Sequence, residues 1–417
     1  MTRTLGAVLT VVLVASAGVA CTSKDDPSIR IGAVYPLSGS QGPGGVDEFR
    51  GVSLAADLVN ADGGVGGRPI ELTPIDVAEG TQAPGAIDAL ADDGIRFVLG
   101  SYGSTISEPA AAEAERRGLL FWETGAVGSS SPDGGGSSFF RVAPSGETLG
   151  RDAISFVSSE LAPELGKAPR TLRWAVANVD DIYGSSVADG AIARIRQLRL
   201  PFAGRFDYDP LHLDASALVH RIAAVHPDLL FVSAYVEDGI ALRRAMVRQH
   251  LHLVTNIGTS SSYCMPAFGR ALGRDAVGLF SSDKLDSEYV DPQGLTPAGR
   301  AIFDRASEAY EDRFGDEMSA AALAGFSAAW ALFHLVLPAT TSITPSGVAT
   351  TALGLREPVG SLPNGSGLEF APPGSPDPGA NLRAMSVIWE WVRPRVRAVV
   401  WPRRFATAPI AAIRIAS

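Results

Sequence analysis

The chain reads as α/β, with two doubly wound lobes in succession, each a parallel sheet with crossover helices. Three observations predict this. From residue 28 onward, short β-branched or aromatic runs alternate with longer segments of helical period. A Gly- and Ser-rich loop from Gly125 to Ser138 has no apolar period, and after it the alternation begins again. The chain's 417 residues, 46% of them hydrophobic, can build two or three cores at roughly 150 residues per domain.

In the first half, strands are expected near Ile29 to Tyr35, Ile70 to Ile75, Ile95 to Leu99 and Leu119 to Trp122. Val52, Ala55, Ala56 and Val59 recur at the spacing of one helix face, and Asp62-Gly63-Gly64 supplies a left-handed stop. Ile87, Leu90 and Ala91 mark a second helix ending at Gly94. In the second half, strands near Leu172 to Asn178, Phe202 to Tyr208, Leu229 to Ser233 and Leu253 to Ile257 alternate with helical stretches 185–198, 214–225 and 238–250. Thr296 to Leu337 is helical in two pieces, the second apolar almost all round and therefore buried. The Pro- and Gly-rich stretch 358–379 is a loop or crossover, and Ala384 to Trp391 with Val396 to Trp401 forms a hairpin around Arg393-Pro394.

Composition excludes several functions. A formal net charge of −10, with no basic stretch to track a phosphate backbone, argues against nucleic acid. No uninterrupted apolar window of about 18 to 20 residues occurs, so no spanning helix is expected in the mature protein. Cys21 and Cys264 cannot form a disulfide framework or a four-thiolate zinc site, and Cys264 reads as a small buried hydrophobe. The nearest approach to a nucleophile elbow, Gly325 to Ala329 around Ser327, lies inside an apolar helix. His250 and His252 read as a solvated helix end, and the Gly63 to Gly67 cluster follows a helix and precedes a strand, the reverse of a dinucleotide fingerprint. No catalysis, cofactor or metal is expected.

The N-terminus carries Arg3, an uncharged stretch from Leu5 to Ala20, and Cys21 before the polar run Thr22 to Asp26. This is an export signal. Gly18-Val19-Ala20-Cys21 resembles a bacterial lipobox, in which the cysteine is lipidated and becomes residue one; the plainer reading is ordinary secretion with an incidental cysteine. Removing residues 1–20 takes away one positive charge and leaves −11.

In open parallel sheets, ligands sit beyond the carboxyl ends of the strands. The loops there are Pro36 to Gly45, Gly100 to Thr105 and Glu123 to Ser130 in the first lobe, and Val179 to Tyr183, Ala234 to Asp238 and Gly258 to Tyr263 in the second. All are rich in small or hydroxylated residues able to converge on a polar solute. Ser101 to Thr105 leads into a helix near Ser107, where Ser107 is expected to cap the helix and Ser104 to bind.

Ile31 to Gly39, Gly51 to Asn60, Gly63 to Ile70 and Gly100 to Ala110 together resemble the leucine/isoleucine/valine-binding family of type I periplasmic binding proteins, the solute receptors of ATP-driven importers. The likeness continues through Asp180 to Gly184, Leu230 to Arg243 and Gly258 to Leu285. It implies the type I periplasmic-binding-protein fold, two α/β lobes joined by a three-strand hinge. The implied division is a signal peptide at 1–20, a lipidated linker at 21–28, lobe 1 at 28–142 plus 281–357, lobe 2 at 143–280 plus 358–403, and a tail at 404–417.

Carried over position by position, the resemblance implies that Ser104 binds a ligand carboxylate, flanked by Tyr102, Gly103 and Thr105. It implies a Gly125-Ala126 backbone turn at the ligand, followed by Val127, with Tyr183 and Tyr235 closing from the second lobe. The family's hydroxyl donor is replaced by Val127, its ammonium-binding glutamate by Ser260, and its first-loop aromatic by Gly44; a family disulfide falls on Ala78 and Gly103. A buried ammonium without a carboxylate is costly. The solute therefore need not be an α-amino acid unless Glu123, Asp181, Glu237 or Asp238 supplies the charge.

The resemblance implies a monomer, exported and held by its lipid on the outer face of the cytoplasmic membrane. It captures a small polar solute by hinge closure and delivers it to the permease subunits of an ABC importer. A ligand-sensing receptor of the same fold, not coupled to import, remains the alternative.

Overall fold

The computed structural model describes residues 28–128 and 138–411. The export signal, Cys21, residues 129–137 of the Gly- and Ser-rich loop and residues 412–417 lie outside the described residues.

Strands β1 (Ile29–Tyr35), β2 (Ile70–Asp76), β3 (Phe97–Gly100), β4 (Leu120–Glu123) and β5 (Phe139–Arg141) form a parallel sheet in the order β2-β1-β3-β4-β5. Alternation along these strands feeds two helical layers. Phe97, Leu99, Leu120 and Trp122 point into a core shared with the helices Gly42–Ala61, Pro297–Phe314 and Ala320–Trp330. Val98 and Phe121 point to the opposite face, under the helices Ala83–Asp92 and Ser104–Arg116.

The second sheet contains β6 (Trp174–Val179), β7 (Phe202–Tyr208), β8 (Leu229–Ser233), β9 (Thr255–Thr259), β10 (Phe280–Asp283), β11 (Val387–Arg393) and β12 (Val396–Trp401). Their order is β12-β11-β10-β9-β8-β6-β7, with the β11–β12 hairpin antiparallel to its neighbour β10 and the other strands parallel. Helices Gly146–Phe156, Ile182–Gln197, Ala215–Ala223 and Val236–Arg248 contribute to its core.

The chain crosses between the sheets after β5, after β10 and before β11. β10, where the expected division begins the return to the first lobe at residue 281, pairs within the second sheet, and the chain leaves that sheet after Asp283. Leu362, Leu368 and Phe370 lie in the first core, where the Phe370 ring meets Trp122 at 5.3 Å and Phe140 at 5.0 Å. The first part of stretch 358–379, assigned to the second lobe, thus covers the first, because its apolar residues complete the face left open beside β4 and β5.

One stretch among the described residues, Ala320–Ala339, is long and apolar enough to cross a membrane, and 78% of its apolar 18-residue window is buried inside the protein. Ser327, His334 and Pro338 interrupt it, so its sequence holds no unbroken apolar run of spanning length. Its apolar surface faces protein. A Cβ on Gly51 would stand 2.0 Å from the Ala322 carbonyl oxygen, and one on Gly325 2.2 Å from that of Glu48, so two glycines let the helices meet backbone to backbone. Ser327 is buried and its hydroxyl accepts the Asn364 N–H at 3.0 Å.

Candidate functional site

Strand order reverses between β1 and β3 in the first sheet and between β6 and β8 in the second. The loops after β3, β6 and β8 carry Tyr102, Tyr183 and Tyr235, and they face one another across a cleft of about 940 Å³, its open mouth included. Tyr102, Gly103, Ser104, Gly125 and Val127 line it from the first lobe, and Tyr183, Tyr235 and Ser260 from the second.

Gly103 precedes the first residue of the Ser104–Arg116 helix, and no side chain caps that helix. Its first N–H groups have no intrahelical acceptor, which makes this end attractive to an anion. The Ser104 hydroxyl accepts the Gly128 N–H at 3.0 Å. The expected cap, Ser107, does something else: its hydroxyl donates to the buried Glu123 carboxylate.

Thr105 stands off the cleft, its hydroxyl receiving the Gln41 side-chain amide at 3.1 Å. Ala126 is also outside the lining, and its N–H is taken by Glu123 at 2.9 Å and by the Ser101 carbonyl at 2.8 Å. Because Glu123 also accepts the Gly125 N–H at 3.0 Å, the expected backbone donors of the Gly125-Ala126 turn are spent on holding the turn itself.

Of the expected charge partners, Glu123, Asp181 and Asp238 are engaged within the protein. Glu123 closes that turn. Asp181 caps the Ile182–Gln197 helix through the Gly184 N–H at 2.7 Å and takes the Tyr235 hydroxyl at 2.6 Å. Asp238 accepts the Tyr208 hydroxyl and the Tyr235 N–H, and Glu237 is exposed. These acids orient the aromatic wall: the Tyr183 and Tyr235 rings lie 5.4 Å apart, and the Tyr183 hydroxyl bonds Thr259 at 2.8 Å and the Ser260 carbonyl.

Sequence reasoning missed the acids and cations that do line the cleft, Asp47, Asp283, Lys284 and Arg397, and the thiol of Cys264. Asp47 is half-buried and pairs with Arg50 at 3.3 Å. Asp283 ends β10 at 3% exposure and accepts the Cys264 thiol at 2.7 Å. Burial raises the Cys264 thiol well above its usual range, and Asp283 beside it raises it further. A buried, protonated thiol is not a nucleophile.

Behind Gly125, Tyr35 bonds Thr124 at 2.7 Å and Thr124 donates to Glu48 at 2.6 Å. Burial pushes the Glu48 carboxyl up to about 7 against the pull of Lys284, and burial pushes Glu123 up to about 8. Lys284 donates to the Gly125 carbonyl at 2.8 Å, joining the end of the second sheet to the first lobe. At Gly44, where the family pattern has an aromatic, a Cβ would fall 2.3 Å from the Tyr102 ring. Tyr102 fills that volume from another loop.

A family model described as periplasmic binding protein matches residues 28–370. Over 401 residues the chain is 27% identical to the Leu/Ile/Val-binding protein homolog 8 of Brucella suis biovar 1, covering 94% of this chain and 96% of the relative. Among solved structures, a leucine-binding protein from Thermotoga maritima superposes with a TM-score of 0.70 at 17% identity, covering 89% of this chain and 97% of its own. An ABC transporter substrate-binding protein from Sphaerobacter thermophilus gives 0.72 at 19%, covering 93% and 100%.

Proposed function

Because the chain belongs to the periplasmic binding protein family, we propose that it is the solute-capturing component of an ATP-driven importer, closing two lobes over a small polar solute of the amino-acid or amide class. The observation that carries this is the cleft itself, set at both strand-order reversals and lined from both lobes. The relatives named for leucine, isoleucine and valine support the solute class. In this reading the helix end at Ser104 takes the anionic group of the solute, and Tyr183 and Tyr235 cover it from the other lobe. Residues 1–20 direct export, and a lipid on Cys21 tethers the mature chain outside the cytoplasmic membrane.

A solute touching both lobes selects the closed state, and the permease reads the shift. Micromolar affinity corresponds to roughly 8 kcal/mol, and closure must cost less than the contacts it adds. The test is a thermal-shift screen of amino acids, amides, urea and small carboxylates, paired with X-ray scattering. The expected result is one solute class that raises the melting temperature and shrinks the radius of gyration. Tyr183→Ala is expected to weaken affinity and contraction together, whereas Ser104→Ala weakens affinity about tenfold and leaves the contraction at saturation. The proposal fails if no solute contracts the protein; equal loss of contraction in both variants would refute the division of labour.

A further inference from the structure

We infer that the end of the second lobe farthest from the cleft is a docking edge for a linear polymer of phosphate groups outside the cytoplasmic membrane. The edge itself is independent of solute capture, and only the choice of a polymer over a bilayer rests on the lipid-tether reading.

The cleft lies beyond the carboxyl ends of the parallel strands, so their amino ends form the opposite edge of the second sheet. Every loop arriving at that edge brings an exposed arginine. Arg170 and Arg173 precede β6, Arg196 and Arg199 precede β7, and Arg221 precedes β8. Arg248 precedes β9, Arg274 precedes β10, and Arg393 and Arg395 form the turn between β11 and β12. At roughly 4.8 Å per strand, the sheet sets these groups along a row of about 30 Å. No sequence window shows the row, because separate loops build it.

Cations near helix C-termini are favoured by the helix dipole, which is a structural reason for some of them. The matching edge of the first sheet shows that it is not the whole reason. The loops entering β2, β3 and β4 carry at least as many acids as cations and pair them, Arg116 with Glu113 and Arg117 with Asp88 and Asp92. Among the described residues, none of the arginines in the second-lobe row joins an ion pair, and the acids in the same loops are Glu164, Asp228 and Asp275.

An arginine's planar fork takes two oxygens of a phosphate at once, so a row of them suits a chain of repeated phosphates. β1 starts at Ile29, on the amino edge of the first sheet, at the other end of the molecule. A lipid on Cys21 holds that end to the membrane through residues 22–28, at most about 25 Å of chain. The arginine row then faces outward, toward envelope polymers.

Fluorescence anisotropy of end-labelled linear polyphosphate, titrated with the full mature chain lacking lipid, tests the edge whatever the fate of Cys21. Micromolar affinity is expected in 50 mM salt, falling on the order of 50-fold in 200 mM as about four phosphates release counterions. Arg170→Gln, Arg196→Gln, Arg274→Gln and Arg393→Gln together should weaken binding at least about tenfold in 50 mM salt. Arg68→Gln, Arg96→Gln, Arg116→Gln and Arg117→Gln, which remove the same charge from the first lobe, should weaken it less than about threefold. If the second-lobe set fails to fold, Arg170→Gln with Arg393→Gln serves, with about threefold weakening expected. Equal affinity of the two sets, or no binding by the wild type, overturns the docking edge. Tighter binding to phosphatidylglycerol vesicles than to polyphosphate assigns the edge to a bilayer, equal binding of polyglutamate removes the phosphate preference, and self-association in low salt assigns the edge to a second copy; each overturns the proposal. Solute capture stands apart from all of these results, since it fails only on loss of contraction across the solute screen.

Discussion

Glu48 shows how one side chain can set a pH response. It is fully buried, and desolvation outweighs Lys284, so its carboxyl sits at about 7, with Glu123 at about 8. Unfolded, both return to the ordinary value of 4.5. Between about pH 4.5 and 8 the folded chain therefore holds more protons than the unfolded one, and stability falls as pH rises through that window. Glu48→Gln removes its share: the variant should match the wild type near pH 4 and gain on it by on the order of 3 kcal/mol by pH 8. Denaturant titrations at several pH values check this, and parallel curves for the two proteins would contradict it. At this scale the site was only partly legible. Ser104, Tyr183 and Tyr235 stand just after strands, where a sequence pattern can place them. Asp283 in Ser281-Ser282-Asp283-Lys284 has the composition of a surface turn, and only its position at the end of a strand flanked by β9 and β11 turns it into a buried acid.

Among the elements, the contact between the Gly42–Ala61 and Ala320–Trp330 helices is the most exacting, because it leaves no room for a side chain at Gly51 or Gly325. Gly51→Val should cost more than about 3 kcal/mol, since the new side chain meets backbone that cannot rotate away. Gly63→Ala, where a Cβ would meet nothing within 4 Å, is the control for loss of a glycine and should cost less, its penalty coming from φ of 100° alone. Similar losses in chemical denaturation would count against the packing argument. Strands β1, β7 and β8 were readable to the residue from their β-branched and aromatic runs. β5 and β10 were not: β5 is three residues directly after a Gly- and Ser-rich loop, and β10, Phe-Ser-Ser-Asp, carries a single apolar residue. The helices Gly146–Phe156 and Pro345–Gly354 also escaped; the first opens with glycine and the second carries a β-branched Val-Ala-Thr-Thr run, both weak helix signals.

Across the whole molecule, the Lys284 ammonium on the Gly125 carbonyl ties the residue that follows β10, at a chain crossing, to the first lobe. If the lobes close as proposed, Lys284→Met should shift the closed-to-open balance by about 1.5–3 kcal/mol toward open, seen as a larger ligand-free radius of gyration in scattering. An unchanged radius would show that the crossing strands alone hold the lobes. The sequence by itself determined the two-lobed α/β plan and the loops that meet, because alternating periods and strand-to-loop boundaries are local properties. Which acids face the cleft was decided by tertiary structure alone. Glu123, Asp181 and Asp238 turn away to hold backbone and tyrosines, while Asp283 and Lys284 turn in, since a carboxylate's role depends on which donors the fold brings within about 3 Å and on the water it loses there.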